Sequence, residues 1–286
     1  FFPASLQEGA RRELPAALEE LGHKTLMMDA DATRYGAVET PEEGRKYAAW
    51  LEDHKNEVDG VIVCLPNFGD ETGAVAALKD AEVPILVQAY PDELDKMAPD
   101  QRRDAFCGKF SVMDVFSQYE VLYTALKPHV VHPQSDTFAA NVDYFDRMCR
   151  VVGGMQELTV GAIGARTTPF KTVRIDEVTL QRFGVTVETF DLSAVFMAVE
   201  ELADDDEAVR AKGEALHGTT TWEGVPERSQ VNLARLGVVL DRMIDENKLD
   251  AIAIRCWTEM QEKLGISPCV LLSELNERGI PAACEV

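Results

Sequence analysis

The sequence lacks the features of an exported or membrane protein. None of its apolar runs reaches the roughly 18 residues that cross a bilayer as a helix. It also lacks a charged segment followed by the short apolar stretch of a signal peptide. We therefore predict neither export nor membrane insertion for these 286 residues.

Paired cysteines are also missing. The six cysteines are scattered at wide and unequal intervals, and no two stand in a C-x-x-C arrangement. This spacing argues against a zinc site and against a disulfide framework, because both use closely spaced or regularly paired cysteines. Free thiols are typical of a reducing compartment, so the sequence predicts a cytoplasmic protein.

Basic residues are scarce. The chain has 28 Lys and Arg against 50 Asp and Glu, which gives a net charge of −22. A charge of this sign repels a phosphate backbone and an anionic lipid surface, so neither nucleic acid nor a membrane is an expected partner. A small sugar is compatible with it.

The residues that are present indicate an α/β fold. Short runs rich in Val and Ile alternate with amphipathic helical stretches, which is the pattern of parallel βαβ units. We predict two Rossmann-like three-layer domains with mostly parallel sheets. The predicted strands are 24–28, 60–65, 83–88, 158–163, 186–190, 251–255 and 282–285.

A pair of glycines marks the predicted domain boundary. The dipeptide Gly153-Gly154 follows a predicted helix and interrupts the helical pattern, which predicts domains over 1–153 and 154–286. Thr40 is the expected cap of another, with Pro41 in its first position. The predicted helices are 7–21, 40–54, 71–79, 113–124, 136–152, 172–183, 207–216, 230–246, 258–264 and 269–278.

Polar side chains follow several predicted strands. In open parallel sheets the ligand crevice lies at the carboxyl ends of the strands. The polar residues there that could contact a substrate are Asn67, Gln88, Arg166 and Lys171. Turn formation or helix capping is the alternative role for Asn67, because Asn after a strand is also what a turn needs. Residues 102–109 lie outside any clear periodic element and are interpreted as a surface connection.

Glu259 is the most informative residue. It follows the apolar strand at 251–255 by a few positions, so its carboxylate is expected in the crevice. A glutamate at a helix start can equally serve as a cap. Glu285 ends a short apolar run, and an ordinary strand terminus is its alternative reading.

Three segments together resemble the L-fucose isomerase-like family, which includes the L-fucose and L-arabinose isomerases. They are VDGVIVCLPNFGDE at 58–71, RRDAFCGK at 102–109, and CWTE at 256–259 taken with ACE at 283–285. The resemblance covers the whole chain and corresponds to the family's N-terminal and middle domains, whereas the C-terminal domain is absent. Because neither end looks like a natural terminus, we interpret the chain as a fragment.

The resemblance implies a metal-dependent aldose–ketose isomerase acting on a small sugar through an enediol. Members hold a divalent cation, usually Mn²⁺, by two acidic residues and a histidine. Glu259 matches the first acid, which also acts in proton transfer, and Trp257 beside it is a substrate-binding candidate. The second acid and the histidine are expected beyond residue 286, so Glu285 receives only a supporting role and the fragment alone is expected to be inactive. The resemblance also implies a homo-oligomer in which a neighbouring subunit completes the site.

Two other functions remain open. A non-catalytic sugar-binding module of periplasmic-binding-protein-like architecture also has two Rossmann-like domains, and it predicts metal-independent sugar binding. A nucleotide-dependent oxidoreductase would use the turn at 161–171 with Asp191 as its ribose-binding acid, but that turn departs from the G-x-G-x-x-G fingerprint.

Overall fold

The architecture is that of an α/β protein, given by a computed structural model that describes residues 2–219 and 221–284. Helices alternate with parallel strands, which confirms the predicted fold class. The strands are β1 (Val61–Leu65), β2 (Ile85–Ala89), β3 (Thr159–Ile163), β4 (Thr186–Phe190), β5 (Ala251–Ile254) and β6 (Ala282–Cys284). The helices are α1 (Ala4–Glu20), α2 (Pro41–Asp53), α3 (Glu71–Leu78), α4 (Ala105–Gln118), α5 (Asp136–Met155), α6 (Glu177–Arg182), α7 (Leu192–Glu201), α8 (Glu207–His217), α9 (Glu227–Asn247), α10 (Glu259–Leu264) and α11 (Cys269–Glu277).

The chain divides into two compact units, unit 1 over Phe1–Gly153 and unit 2 over Gly154–Val286. The two glycines at this division do not interrupt the chain as predicted. They lie inside the last turns of α5, which continues to Met155. A glycine lowers helix stability by only about 1 kcal/mol relative to alanine, so the helical hydrogen bonds continue through both residues.

Unit 1 is built on the parallel pair β1 and β2, in register from Val61 opposite Ile85 to Leu65 opposite Ala89. All five residues of β2 are buried, which explains its nearly continuous apolar sequence. Val87, Phe116 and Phe138 are fully buried in the core of this unit.

The first predicted strand, 24–28, is wrong. In the structure these residues form neither a helix nor a strand. A cavity of about 350 Å³ lies beside them, lined also by residues of α1, β1 and α5. An apolar sequence makes a strand only where a neighbouring backbone accepts its hydrogen bonds, and sequence alone does not report the neighbour.

The interpretation of 102–109 as a surface connection is also wrong, because Ala105 to Lys109 form the first turns of α4. Ala105, Gly108 and Lys109 are buried there. Gly108 explains the packing, since a Cβ atom at this position would lie 1.9 Å from the carbonyl oxygen of Phe68. The helix therefore rests directly on the backbone of the loop after β1.

Unit 2 carries a sheet of described strands in the order β4-β3-β5-β6, all parallel. Its core is centred on α9, whose Leu236 and Leu240 are almost completely buried. Ile163 and Ile254, the last residues of β3 and β5, are fully buried opposite each other. The carboxyl ends of these two strands are thus held rigidly side by side.

Helix starts follow their capping residues. The predicted cap is confirmed at Thr40, whose Oγ1 accepts the Glu43 amide at 3.2 Å. The predicted helix at 172–183 is shortened to α6, because the Asp176 carboxylate accepts the Thr179 amide and starts the helix there. Helix α7 was not predicted. Asp191, the candidate ribose-binding acid, caps it by accepting the Ser193 amide at 2.8 Å. The hydrogen bonds from Ser193 hold the pKa of Asp191 below its ordinary value.

Among the helices of the described residues, none is both long and apolar enough to span a lipid bilayer.

Candidate functional site

The carboxyl ends of β3 and β5 bring two of the predicted loops together. Ile163 pairs with Ile254 across the strands, and the Arg255 amide then donates to the Ile163 carbonyl at 2.9 Å. Residues 164–171 leave β3, and residues 255–259 leave β5, from the same edge of the sheet. This is the edge at which parallel α/β sheets bind ligands.

Glu259 begins α10 and forms an ion pair with Arg255. The Arg255 Nη2 donates to Glu259 Oε1 at 2.7 Å, and its Nε donates to the Trp257 carbonyl at 2.8 Å. The Glu259 side chain remains 47% exposed. An ion pair this exposed contributes at most about 1 kcal/mol, so the carboxylate is oriented by Arg255 but is not locked away from a ligand.

Trp257 presents an aromatic surface beside this carboxylate. Its ring lies 5.5 Å from the ring of Phe170, centroid to centroid, at an interplanar angle of 37°. This contact joins the loop after β5 to the loop after β3. Trp257 nevertheless stays 51% exposed, so part of its surface is open to a ligand.

Arg166 shapes the loop that carries Phe170. Its Nη1 donates to three carbonyls of its own loop, those of Thr167, Thr168 and Phe170, at 3.2 to 3.3 Å. Lys171 is exposed at the start of a short 3₁₀ turn in the same loop. Arg166 therefore acts first on the loop backbone, whereas the Lys171 amine faces solvent.

The described residues do not form a metal centre by themselves. Over 2–219 and 221–284, no three side chains of His, Cys, Asp or Glu come close enough together to hold a metal ion. Glu259 offers a single carboxylate, which Arg255 already engages. The predicted supporting residue Glu285 lies outside the described residues. One carboxylate is too few ligands for a divalent cation, so a metal centre here would need further ligands from outside the described residues.

In unit 1, Asn67 and Gln88 serve the local backbone. Asn67 is buried, and its Oδ1 accepts the Gly69 amide at 3.0 Å in the turn after β1. Gln88 is buried in β2, where its Nε2 donates to the Val131 carbonyl at 2.6 Å. Their role in substrate binding stays a prediction.

Arg103 joins the loops that follow β1 and β2, a role that the sequence did not reveal. Its Nη1 donates to the Pro66 carbonyl at 3.1 Å, and its Nη2 donates to Glu93 at 3.2 Å. The guanidinium also lies over the Tyr90 ring, 5.0 Å from its centroid. The sequence signal available for it was the pair Arg102-Arg103 at the start of the segment RRDAFCGK.

A buried lysine lies beneath these loops. The Lys109 residue is 2% exposed, and its Nζ donates to the His129 carbonyl at 2.9 Å. A cavity of about 10 Å³, room for roughly one water, lies between Lys109, Gln88 and His129. Burial lowers the pKa of Lys109 to about 8, because the charged ammonium loses its hydration.

We expect Lys109→Met to remove a pH dependence of stability. Below pH about 8 both the folded and unfolded chains hold the Lys109 proton, and the folded protein bears the full burial cost. Between pH about 8 and about 10.4 the unfolded chain binds more protons, so the free energy of unfolding rises with pH by up to about 3 kcal/mol.

Urea unfolding from pH 7 to pH 10 measures this difference. The wild type should gain stability relative to Lys109→Met as the pH rises. Lys79 is an exposed lysine in the same unit, so Lys79→Met is the matched control. The pH dependence of its stability should follow that of the wild type. Parallel pH profiles for the wild type and Lys109→Met would contradict the assignment.

Comparison with known proteins identifies the family. The model described as "Fucose/sulfoquinovose isomerase, N-terminal domain" matches residues 1–156, which is more than half of the chain and covers unit 1. The chain belongs to this family. The resemblance to the L-fucose isomerase-like family is thereby confirmed, and two of the segments that carry it, 58–71 and 102–109, lie within the matched residues.

Curated relatives carry the name sulfoquinovose isomerase. The protein from Priestia aryabhattai is 23% identical over 234 residues, covering 80% of this chain and 50% of its own length. That from Alkalicoccus urumqiensis is 24% identical over 241 residues, covering 83% and 52%. That from Clostridium sp. (strain MSTE9) is 28% identical over 159 residues, covering 54% and 34%. The chain thus spans about half the length, or less, of these relatives.

Proposed function

We propose that the full-length protein is an aldose–ketose isomerase that acts on a small sugar through an enediol. The observation that carries the proposal is Glu259, a partly exposed carboxylate at the ligand-binding edge of a parallel sheet in a member of this family. Moving a proton between C1 and C2 of an open-chain sugar needs a base for a weakly acidic C–H bond. Glu259 supplies that base.

The neighbours of Glu259 have separate tasks in this proposal. Arg255 orients the carboxylate by donating from its Nη2 to Glu259 Oε1. Trp257 packs against the apolar C–H face of the sugar, since its ring is half exposed. Arg166 maintains the loop that positions Phe170, and Lys171 adds a positive group at the same edge.

The sugar proposed first is sulfoquinovose, because the matching relatives carry its name. L-Fucose and L-arabinose, suggested by the wider family, are the alternatives. Sulfoquinovose bears a sulfonate, and this anion requires a cationic or N–H-rich partner. Lys171 is an exposed cation in the loop after β3.

A divalent cation, with Mn²⁺ preferred, is also part of the proposal. Such a cation would supply Lewis-acid stabilisation of the oxyanion that develops on an enediol. Glu259 would be one ligand, and the others would come from outside the described residues or from a neighbouring subunit of a homo-oligomer. The prediction that Glu285 supports this set remains a proposal.

We expect Trp257→Ala to raise KM about tenfold while changing kcat little, because the ring binds substrate and transition state alike. A tenfold effect corresponds to about 1.4 kcal/mol, near the upper range for an aromatic contact. Trp257→Phe keeps a ring against Phe170 and should restore most of the affinity. Steady-state kinetics on both variants decide this, and an unchanged KM in Trp257→Ala would contradict the substrate contact.

The experiment that tests the function uses the full-length protein, stripped of metal and then given Mn²⁺. Sulfoquinovose, L-fucose, L-arabinose and other aldoses are offered, and ketose formation is measured. Metal-dependent ketose formation from one of them supports the isomerase. Sugar binding that is indifferent to metal, with no ketose formed, would support the sugar-binding module instead.

A further inference from the structure

Two thiols, one at the end of β6 and one just after β5, meet at the carboxyl end of the unit 2 sheet. Cys284 is the last residue of β6 and lies opposite Ile254 of β5. Cys256 follows Ile254 by two positions, so both cysteines occupy neighbouring strand ends. Their Sγ atoms are 3.2 Å apart although 28 residues separate them in the chain.

The two thiols differ in access. Cys256 is 5% exposed, whereas Cys284 is exposed, and the 3.2 Å between their Sγ atoms shows that no disulfide joins them. A reagent in solution can therefore reach Cys284 first, and the buried thiol lies in position to react second. Such an accessible cysteine beside a resolving cysteine is the arrangement found in thiols that oxidise reversibly.

We propose that Cys256 and Cys284 form a thiol-oxidation site whose reagent is a low-molecular-weight disulfide such as glutathione disulfide. The Cys284 thiolate attacks one sulfur of the reagent, forms a mixed disulfide and expels one glutathione thiolate. The Cys256 thiolate then attacks the Cys284 sulfur and expels the second. The protein loses two thiol protons and two electrons, and the reagent becomes two glutathione thiols.

The required movement is small. A disulfide places its sulfur atoms about 2.05 Å apart, so the pair must close by roughly 1 Å. Cys284 is the last residue of β6, so the shift falls at the strand end and can leave the pairing of Ala282 and Ala283 with β5 in place. The bond would tether β6 to the loop three residues before Glu259. The proposal does not depend on the proposed activity.

The test incubates the reduced full-length protein with glutathione disulfide, traps remaining thiols with N-ethylmaleimide and maps the peptides by mass spectrometry. Exposed Cys107 and Cys269 report in the same sample whether the reagent reached the protein. The expected product is a peptide pair linked through Cys256 and Cys284, released by dithiothreitol. Cys269→Ser should leave this link unchanged.

Cys256→Ser separates the two steps, because Cys284 should then retain glutathione as a stable mixed disulfide. Cys256 and Cys284 both trapped by N-ethylmaleimide, in protein whose Cys107 or Cys269 carries glutathione, would overturn the proposal. A wild-type protein that accumulates glutathione on Cys284 without closing the link would overturn it as well. Peptide masses give each outcome without an isomerase assay.

Discussion

Replacing Glu259 by glutamine is expected to lower the isomerase kcat of the full-length protein at least about 100-fold. The amide keeps the shape and the hydrogen-bonding oxygen that Arg255 engages, but it cannot accept a proton from carbon. General-base catalysis contributes on the order of 100- to 10,000-fold to such reactions, and the loss should reach this range. The fold should be unaffected, because the side chain is half exposed.

Glu262→Gln is the matched control for this prediction. Glu262 lies on the same helix, one turn further along, and is exposed. Its substitution should leave kcat within about twofold of the wild type. Like Glu259→Gln it removes one negative charge, but it leaves the carboxylate beside Arg255 in place. Equal activities for the two variants would show that Glu259 takes no part in the chemistry.

Gly108→Ala is expected to destabilise unit 1 by about 3 kcal/mol or more. The added methyl group would lie 1.9 Å from the Phe68 carbonyl oxygen and 2.6 Å from its Cα. These are backbone atoms, so no side-chain rotation relieves the clash and α4 must move away from the loop after β1. Overpacking of a tight contact costs about 1 to 3 kcal/mol where side chains can adjust, and here the adjustment falls on the backbone.

Gly153→Ala provides the opposite case within the same unit. A Cβ atom at Gly153 would meet nothing within 4 Å, and the residue lies inside α5. Alanine there should stabilise the helix by about 0.5 to 1 kcal/mol. Urea unfolding of both variants measures the contrast. A Gly108→Ala protein as stable as Gly153→Ala would contradict the close packing of α4.

The sequence predicted those parts of the fold that depend on local pattern. Strand β2, which is buried along its whole length, could be predicted from its nearly continuous apolar run. Helix α7 was missed because Leu192 to Val199 is mostly apolar, without the polar face that marks an amphipathic helix. The prediction of a strand at 24–28 was wrong for another reason, since strand pairing depends on a neighbour elsewhere in the chain.

The sequence likewise predicts some features of the candidate site and not others. The position of Glu259 at the end of an apolar strand could be predicted, because a strand and its following loop are contiguous in sequence. The contact of Phe170 with Trp257 could not, since 87 positions separate the two residues and only the neighbouring positions of β3 and β5 unite them. Arg255 stands four residues before Glu259, and its pairing depends on the turn that joins them.

The most direct test of the central claim follows solvent deuterium during the reaction. The full-length protein is given Mn²⁺ and the preferred aldose in D₂O, and the ketose is examined by NMR. Proton transfer through an enediol predicts deuterium at C1 of the ketose, since the proton held by Glu259 exchanges with solvent. A ketose formed without any deuterium at C1, or no ketose from any aldose offered, would contradict the account.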